Sequence, residues 1–224
     1  KFYQIVPHAF GRKRPQVINT QELLKQKFDL VAMLGDIEVA QRIQEEAGKG
    51  VDDKYDSLKT ELTCLHPEND VFKKIQQYAS ATMDKAYYKC ELLDVWSCER
   101  EGEAEGFKEF DKLNNRRLLW HGTNIAVVAA ILKNGLKIMP TASCGSRVGR
   151  GIYLASEHSK SAMYVRHNQS DAHTGGERHG IMLLCEAAMG TAHEITVDDG
   201  SLVKAPQDFD SVIAKGRTEP DKSM

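Results

Sequence analysis

The chain lacks several features that would assign it quickly to a class. None of its apolar runs approaches the roughly 20 residues that a membrane-spanning helix needs, which excludes an ordinary transmembrane segment. Its formal net charge of −2 is too small to favour nucleic-acid binding by the chain as a whole. Internal repeats and low-complexity tracts are also missing. With 41% apolar residues among 224, we expect one large or two small domains with a real core.

Cysteine pairs are lacking as well. The five cysteines are odd in number, scattered and without CxxC spacing, which predicts reduced thiols in a nuclear or cytosolic protein. Cys64 and His66 resemble half of a zinc site, but no second pair follows at finger spacing, so we expect no metal. The basic cluster 11–15 is open to two interpretations, a nuclear address or, as we favour, a solvated turn.

A long helix is predicted near the start of the chain, over residues 19–47. Asn19 and Glu22 have the spacing of a capping box, in which Asn19 would cap the helix. Gly48 and Gly50 are typical of a helix end. Apolar residues recur at helical spacing and predict one buried face, made of Leu23, Leu24, Leu30, Val31, Leu34, Ile37, Ala40 and Ile43.

Two shorter helices are predicted after it. One covers residues 52–65 and is stopped by Pro67. The next begins at a cap formed by Asn69 or Asp70. Its buried side is expected to carry Val71, Phe72, Ile75, Tyr78 and Ala79.

The pattern changes near residue 85, which predicts a helical domain over 1–85 and an α+β domain over 86–224. In the second domain short strands and helices alternate. The predicted strands are 88–96, 118–120, 136–138, 152–154, 181–188 and 212–214. The predicted helices are 101–113, 124–133 with Thr123 as its cap and Gly135 as its end, and 157–165, and a polar loop is expected over 166–179.

The residues best suited to chemistry lie between 118 and 164. His121 follows three apolar residues and is expected at a strand end, where side chains point into a cleft. Gly122 leaves the backbone open to close approach by a ligand. Tyr153 ends a second apolar run, and Tyr164 follows on a predicted helix. Two tyrosines and a histidine around one cleft suit a flat aromatic ligand such as cationic nicotinamide, because ring faces attract positive charge.

Each of these residues also fits an ordinary structural role when it is taken alone. His121 fits a structural histidine, the two tyrosines fit core aromatics, and the glycines at 149 and 151 fit a turn without GxGxxG or P-loop spacing. The order and spacing of the whole set favour the functional interpretation.

Three sequence blocks carry a resemblance to a known family. WHGT at 120–123, GRGIYLAS at 149–156 and SKSAMY at 159–164 resemble the signature blocks of the poly(ADP-ribose) polymerase family. KFYQIVPHAFG at 1–11 and LGDIEVAQ at 34–41 resemble its helical regulatory domain. The resemblance covers nearly the whole chain and is strongest to the small third member, which DNA strand breaks activate. It implies an α+β fold in which part of an N-terminal helical bundle precedes a mixed-sheet ADP-ribosyltransferase fold lacking its C-terminal strands.

The resemblance also implies a role for each candidate residue. His121 would hydrogen-bond a ribose hydroxyl of the co-substrate NAD, and Gly122 would clamp the nicotinamide amide through its backbone. Ser161 would reach the same amide through its hydroxyl, while Tyr153 and Tyr164 would flank the ring. His121 and Tyr153 are thus the implied catalytic residues. Residues 139–150 would form a loop over the donor, and Lys160 would lie beside the pocket.

The same resemblance leaves alternatives open. The family places a third signature residue, a glutamate, on a late strand that we expect beyond Met224, and both ends of the chain look cut. Glu219 and Glu186 are not expected to replace it, and Leu154 stands where the family usually has Phe. The chain is therefore expected to be an NAD-dependent protein ADP-ribosyltransferase of the mono-transferring kind. The alternatives are an inactive NAD-site module and a helical interaction module built on residues 19–80.

The resemblance finally implies partners and a compartment. Protein acceptors such as histones or the chain itself are expected, DNA ends are a further acceptor class left open, and no membrane partner is expected. DNA breaks would be sensed only through domains outside this sequence. The implied setting is DNA repair in the nucleus.

Overall fold

The computed structural model describes residues 2–6, 17–45, 50–86, 90–138, 147–165 and 179–220. Several predictions lie outside these residues, namely the basic cluster 11–15, the part of the donor loop at 139–146 and nearly all of the polar loop, at 166–178. Among the described residues no helix has both the length and the apolar character needed to cross a membrane.

Four helices lie within the described residues of the first part of the chain. They are α1 (Phe2–Ile5), α2 (Gln21–Glu45), α3 (Val51–Asp56) and α4 (Asp70–Ala81). The long helix α2 is confirmed, but its cap is Thr20 and not Asn19, because the Thr20 hydroxyl accepts a hydrogen bond from the Leu23 amide at 3.2 Å. The predicted apolar face is buried at Ile43 and stays 40% exposed at Leu24.

The predicted helix 52–65 is wrong in its second half. Helix α3 ends at Asp56, and Lys59 takes a positive φ of 53° that turns the chain. Strand β1 (Thr60–Cys64) follows and pairs antiparallel with β2 (Trp96–Arg100). The buried Thr60 hydroxyl donates to the Leu132 carbonyl at 2.7 Å, so a contact far along the chain overrides the local helical pattern.

Strand β2 begins at the last residue of the predicted strand 88–96. Residues 90–95 form no strand, so the prediction is wrong over them and right at Trp96, while residues 88 and 89 lie outside the described residues. The predicted helix 101–113 is shorter than expected. It consists of α5 (Glu103–Phe107) and a 3-10 turn at Lys108–Phe110.

Helix α4 is confirmed, with Asn69 as its cap. The Asn69 side chain accepts a hydrogen bond from the Val71 amide at 2.8 Å. Phe72 and Ala79 are buried as predicted, whereas Val71 is 52% exposed because it lies in the first turn, beside the cap. The C-terminal end of α4 meets the second part of the chain, where the ring of Tyr78 stacks on Trp120.

The central sheet pairs β3 (Arg116–Gly122) with β4 (Met182–Ala188) in antiparallel register, with Leu118 opposite Glu186. Both strands were predicted. On the other edge of β3, Trp120 makes a single bridge to Ala155. Residues 152–154 are therefore not a strand, since the described backbone beside them forms a single bridge to β3, at Ala155. Residues 136–138 also form no strand, so that prediction is wrong as well.

Two short helices follow β3 along the chain, and the second of them packs against β3. A 3-10 turn at Ile125–Val127 leads into α6 (Val128–Asn134), and Asn124 caps the turn in place of the predicted Thr123. Gly135 ends α6 with a φ of 74°, as predicted. Helix α7 (His158–Ala162) is shorter than the predicted 157–165.

A third pair of strands joins β5 (Ala192–Ile195) and β6 (Ser211–Ala214) in parallel. Strand β6 was predicted and β5 was not. The described elements give helices with small sheets, which confirms the α+β class. The boundary at residue 85 stays a prediction, and the β1–β2 pair joins residues from both sides of it.

Candidate active site

His121 lies at the C-terminal end of β3. Its Nδ1 is 2.9 Å from the carbonyl oxygen of Tyr153. A carbonyl oxygen only accepts hydrogen bonds, so the proton of a neutral ring lies on Nδ1. The Nε2 of His121 is then left as an acceptor for a hydroxyl group.

Gly122 lies where α7 packs against β3. A Cβ at this position would overlap the backbone carbonyl of Ser161 and would lie 3.3 Å from a methyl group of Val165. The sequence interpretation gave Gly122 an open backbone, and the structure adds close helix packing as a second reason for glycine.

The backbone edge of Gly122 faces away from β4. Trp120 exchanges two hydrogen bonds with Ala155, at 2.7 and 2.9 Å, on that edge of β3. Backbone groups of alternate residues in a strand leave it on the same side. The N–H and C=O of Gly122 therefore lie on the edge that carries Ala155, next to α7.

Ser161 is fixed in this corner. Its side chain is 4% exposed, and its hydroxyl donates to the carbonyl of Trp120 at 2.8 Å. The hydroxyl proton is thus committed, and the oxygen retains lone pairs for an N–H donor. The amide of Tyr164 donates to the Ser161 carbonyl at 3.0 Å, which places Tyr164 directly after the helix.

The two tyrosines stand at the open side of the site. Tyr153 is 37% exposed and Tyr164 is 41% exposed. Burial raises the pKa of the Tyr153 phenol, the Val148 amide opposes this, and the nearby Tyr164 phenol adds to the rise. The Nζ of Lys160 lies 5.7 Å from the centre of the Tyr164 ring, as expected for a residue beside the pocket.

The backbone of residues 148 and 149 holds the Tyr153 hydroxyl in place. The Tyr153 hydroxyl donates to the Gly149 carbonyl at 2.6 Å and accepts from the Val148 amide at 3.2 Å. Gly149 has a φ of 78°, and a Cβ there would overlap the carbonyl of Leu202. The guanidinium of Arg147 pairs with both carboxylate oxygens of Asp198.

The structure thus brings the predicted residues together at one end of β3. Sequence reasoning missed the residues behind them. Trp120 stacks on Tyr78 and meets the edge of the His158 ring, with centroids 5.3 and 5.4 Å apart. Trp120 stands inside the WHGT block and could have been found there. Tyr78 was predicted on the buried face of its helix, but its contact with Trp120 was not, and His158 carries no local signal.

Glu186 and Glu219, which were not expected to replace the family's signature glutamate, make other contacts. Glu186 pairs with Arg116 at 2.7 Å. Glu219 accepts a hydrogen bond from the Ser156 hydroxyl at 3.1 Å. Burial raises the pKa of Glu157, and the charge of Glu219 adds to the rise.

The buried ring of His158 makes the folding stability of the chain depend on pH. Its ring is 8% exposed, its Nδ1 has no hydrogen-bond partner within the described ranges, and burial lowers its pKa below 6.5. The folded chain therefore disfavours the protonated ring. As pH falls below 6.5, the unfolded chain takes up a proton that the folded chain refuses, and stability is lost until the lowered pKa is reached.

We expect this loss to be at most about 1.4 kcal/mol per pH unit for one proton. Urea unfolding of the wild type and of His158→Gln at pH 7.5 and 5.5 measures it. The wild type should lose more stability on acidification than the variant, because the carboxylates are common to both. An equal loss in the two proteins would contradict the assignment to His158.

Comparison with known proteins shows in which family this arrangement of residues belongs. The sequence model of the poly(ADP-ribose) polymerase catalytic domain matches residues 69–224, and the model of the regulatory domain matches residues 1–61. The chain belongs to the poly(ADP-ribose) polymerase family. His121, Tyr153, Ser161 and Tyr164 all lie inside the matched catalytic domain of this family.

Named relatives in the family include the protein mono-ADP-ribosyltransferase PARP3 of Mus musculus, 48% identical, and that of Homo sapiens, 46% identical. Each alignment covers the whole chain and 42% of the relative. Poly [ADP-ribose] polymerase 1 of Gallus gallus is 34% identical over 99% of the chain and 22% of its own length. The chain thus spans about two fifths of the length of its PARP3 relatives.

Proposed function

We propose that the chain binds NAD and transfers its ADP-ribose unit to a protein acceptor, releasing nicotinamide. The observation that carries this proposal is the joint placement of His121, Gly122, Ser161 and the two tyrosines around the end of β3. The family match supports the same donor. The PARP3 relatives are named mono-ADP-ribosyltransferases, which favours the transfer of single units.

The residues fit the nicotinamide end of NAD. The hydroxyl oxygen of Ser161 retains lone pairs for a carboxamide N–H. The backbone N–H and C=O of Gly122, on the edge of β3 that faces away from β4, would supply a donor and an acceptor. The exposed ring of Tyr164 offers a face to the cationic nicotinamide ring, and the partly exposed ring of Tyr153 would flank it. His121, held through Nδ1, presents Nε2 toward a ribose hydroxyl.

The reaction breaks the bond between nicotinamide and the ribose. The bonding electrons leave with the nicotinamide nitrogen, and the sugar becomes oxocarbenium-like. An acceptor oxygen then attacks the anomeric carbon. A carboxylate does so directly, whereas a hydroxyl passes its proton to water. Fixed groups such as Ser161 and His121 contribute by holding the donor in position and by stabilising charge as it develops, with no covalent enzyme intermediate.

The cellular setting is part of the proposal. Protein acceptors such as histones or the chain itself, a nuclear location and a role in the response to DNA damage follow from the likeness to the third member of the family.

Replacing His121 tests the donor site directly. We expect His121→Ala to lower transfer of labelled ADP-ribose from NAD to histones or to the chain by on the order of 100-fold. His193→Ala is the matched control, because His193 lies on β5 against Phe209. It should stay within about threefold of the wild type, as substitutions away from the reacting groups do.

Measurements of binding and of transfer by the wild type together separate the alternatives. Binding of benzamide, a nicotinamide mimic, without any transfer by the wild type would favour an inactive NAD-site module. A folded wild type that binds neither benzamide nor NAD would overturn the proposal and leave the helical interaction module.

A further inference from the structure

Helix α7 carries Ser161 and is followed by Tyr164, yet it has only 5 residues. A helix this short is not stable by itself. Its first amides also need acceptors, and its own N-cap residue, Glu157, makes no side-chain capping hydrogen bond. Something outside the helix must hold it in place.

Thr82 supplies the missing acceptors from the end of α4. Its hydroxyl oxygen accepts from the His158 amide at 3.1 Å, and its carbonyl accepts from the Ser159 amide at 3.2 Å. The hydroxyl proton is donated to the Tyr78 carbonyl at 2.8 Å. Thr82 is 2% exposed, so water does not substitute for these bonds. It caps α7 from 76 residues away in the sequence.

The Ser159 side chain strengthens the same joint. Its hydroxyl donates to the Thr82 carbonyl at 3.3 Å and accepts from the Asp84 amide. The first turn of α7 is thereby tied to the chain that leaves α4.

Tyr78 makes a second tie, on the side of β3. Its hydroxyl lies 2.7 Å from the carbonyl of Ser156 and 3.1 Å from the carbonyl of Leu118. Its ring stacks on Trp120, whose carbonyl accepts the Ser161 hydroxyl. The last turn of α4 therefore contacts β3 and also the segment that leads into α7, and these two elements pack together at Gly122.

We propose that Thr82, supported by Tyr78, is a positioning residue for the donor pocket, and that it acts by holding α7 against Gly122. This inference rests on the proposed function, since Ser161 and Tyr164 are the groups it would place on nicotinamide. Thr82 itself touches only protein groups. Loss of its hydroxyl leaves a buried amide without an acceptor, which displaces the start of α7.

The test compares Thr82→Val with Thr82→Ser and Thr60→Val. Valine keeps the shape of threonine and removes the hydroxyl, whereas serine keeps the hydroxyl. Thr60 is the matched control because it is 5% exposed and also donates a hydroxyl hydrogen bond, to Leu132 and not to α7. Thr82→Val is expected to weaken benzamide binding about tenfold, as one unpaired buried amide would. The other two variants should stay within about threefold of the wild type, since an intact cap or a distant loss leaves α7 in place.

A second readout does not depend on the donor. Hydrogen exchange of the amides of residues 158–164 should speed up in Thr82→Val and not in Thr60→Val. Equal affinity and equal exchange in these two variants, measured well below their melting temperatures, would overturn the positioning role. If the wild type binds no benzamide, the proposed function fails, while the exchange experiment still decides whether Thr82 holds α7.

Discussion

Alanine at position 122 is expected to reduce benzamide and NAD binding by on the order of 100-fold, because displacements of about 1 Å at a reactive site have effects of this size. The added methyl group overlaps the backbone carbonyl of Ser161, which is no flexible side-chain end. Helix α7 must therefore move away from β3, and Ser161 moves with it. Isothermal titration with benzamide, carried out well below the melting temperature of the variant, measures the loss.

Gly151→Ala is the control for this prediction. Gly151 lies two residues before Tyr153, and a Cβ there meets no described atom within 4 Å. This variant should bind like the wild type within about threefold, since a surface substitution without new contacts has a small effect. Binding by a folded Gly122→Ala protein at wild-type strength would show that α7 does not close on β3 as described.

Removal of the Tyr164 ring is expected to have the second large effect. Tyr164→Ala should weaken benzamide and NAD binding by roughly 50-fold, because it loses both a stacking surface and the attraction of a ring face for a cation. The Nζ of Lys160 lies 5.7 Å from the centre of this ring, so the ring already faces a positive charge when no ligand is bound.

Tyr164→Phe separates the ring from its hydroxyl. Phenylalanine keeps the stacking face and should bind within about threefold of the wild type. Competition between benzamide and NAD, followed by titration, compares the three proteins. Equal losses in the two variants would assign the effect to the hydroxyl and contradict a stacking role.

Local signals in the sequence predicted much of the fold. The run of apolar residues before His121 predicted β3, and the Asn69 cap with its apolar period predicted α4. Gly135 marked the end of α6 because it takes a positive φ that other residues avoid. The predicted donor-site residues were found together because the family blocks fix their order along the chain.

The misplaced caps at Thr20 and Asn124 are errors of one residue, whereas the larger misses discussed next come from pairing between distant segments. Thr60 begins a strand and not a helical turn because β2 and Leu132 lie beside it. Strand β5 has only four residues, and its partner β6 lies further along the chain, so no local pattern reveals the pair. The cap that Thr82 gives to α7 is non-local in the same way.

The capping of α7 by Thr82 also sets the order in which parts of the chain fold and open. A helix of 5 residues whose first amides depend on a residue 76 positions away cannot persist before α4 has docked. The pocket is then among the last parts of the chain to form and among the first to open when the final turn of α4 frays. Donor binding and the integrity of that turn are therefore coupled, so a ligand that holds Ser161 in place also stabilises the end of α4.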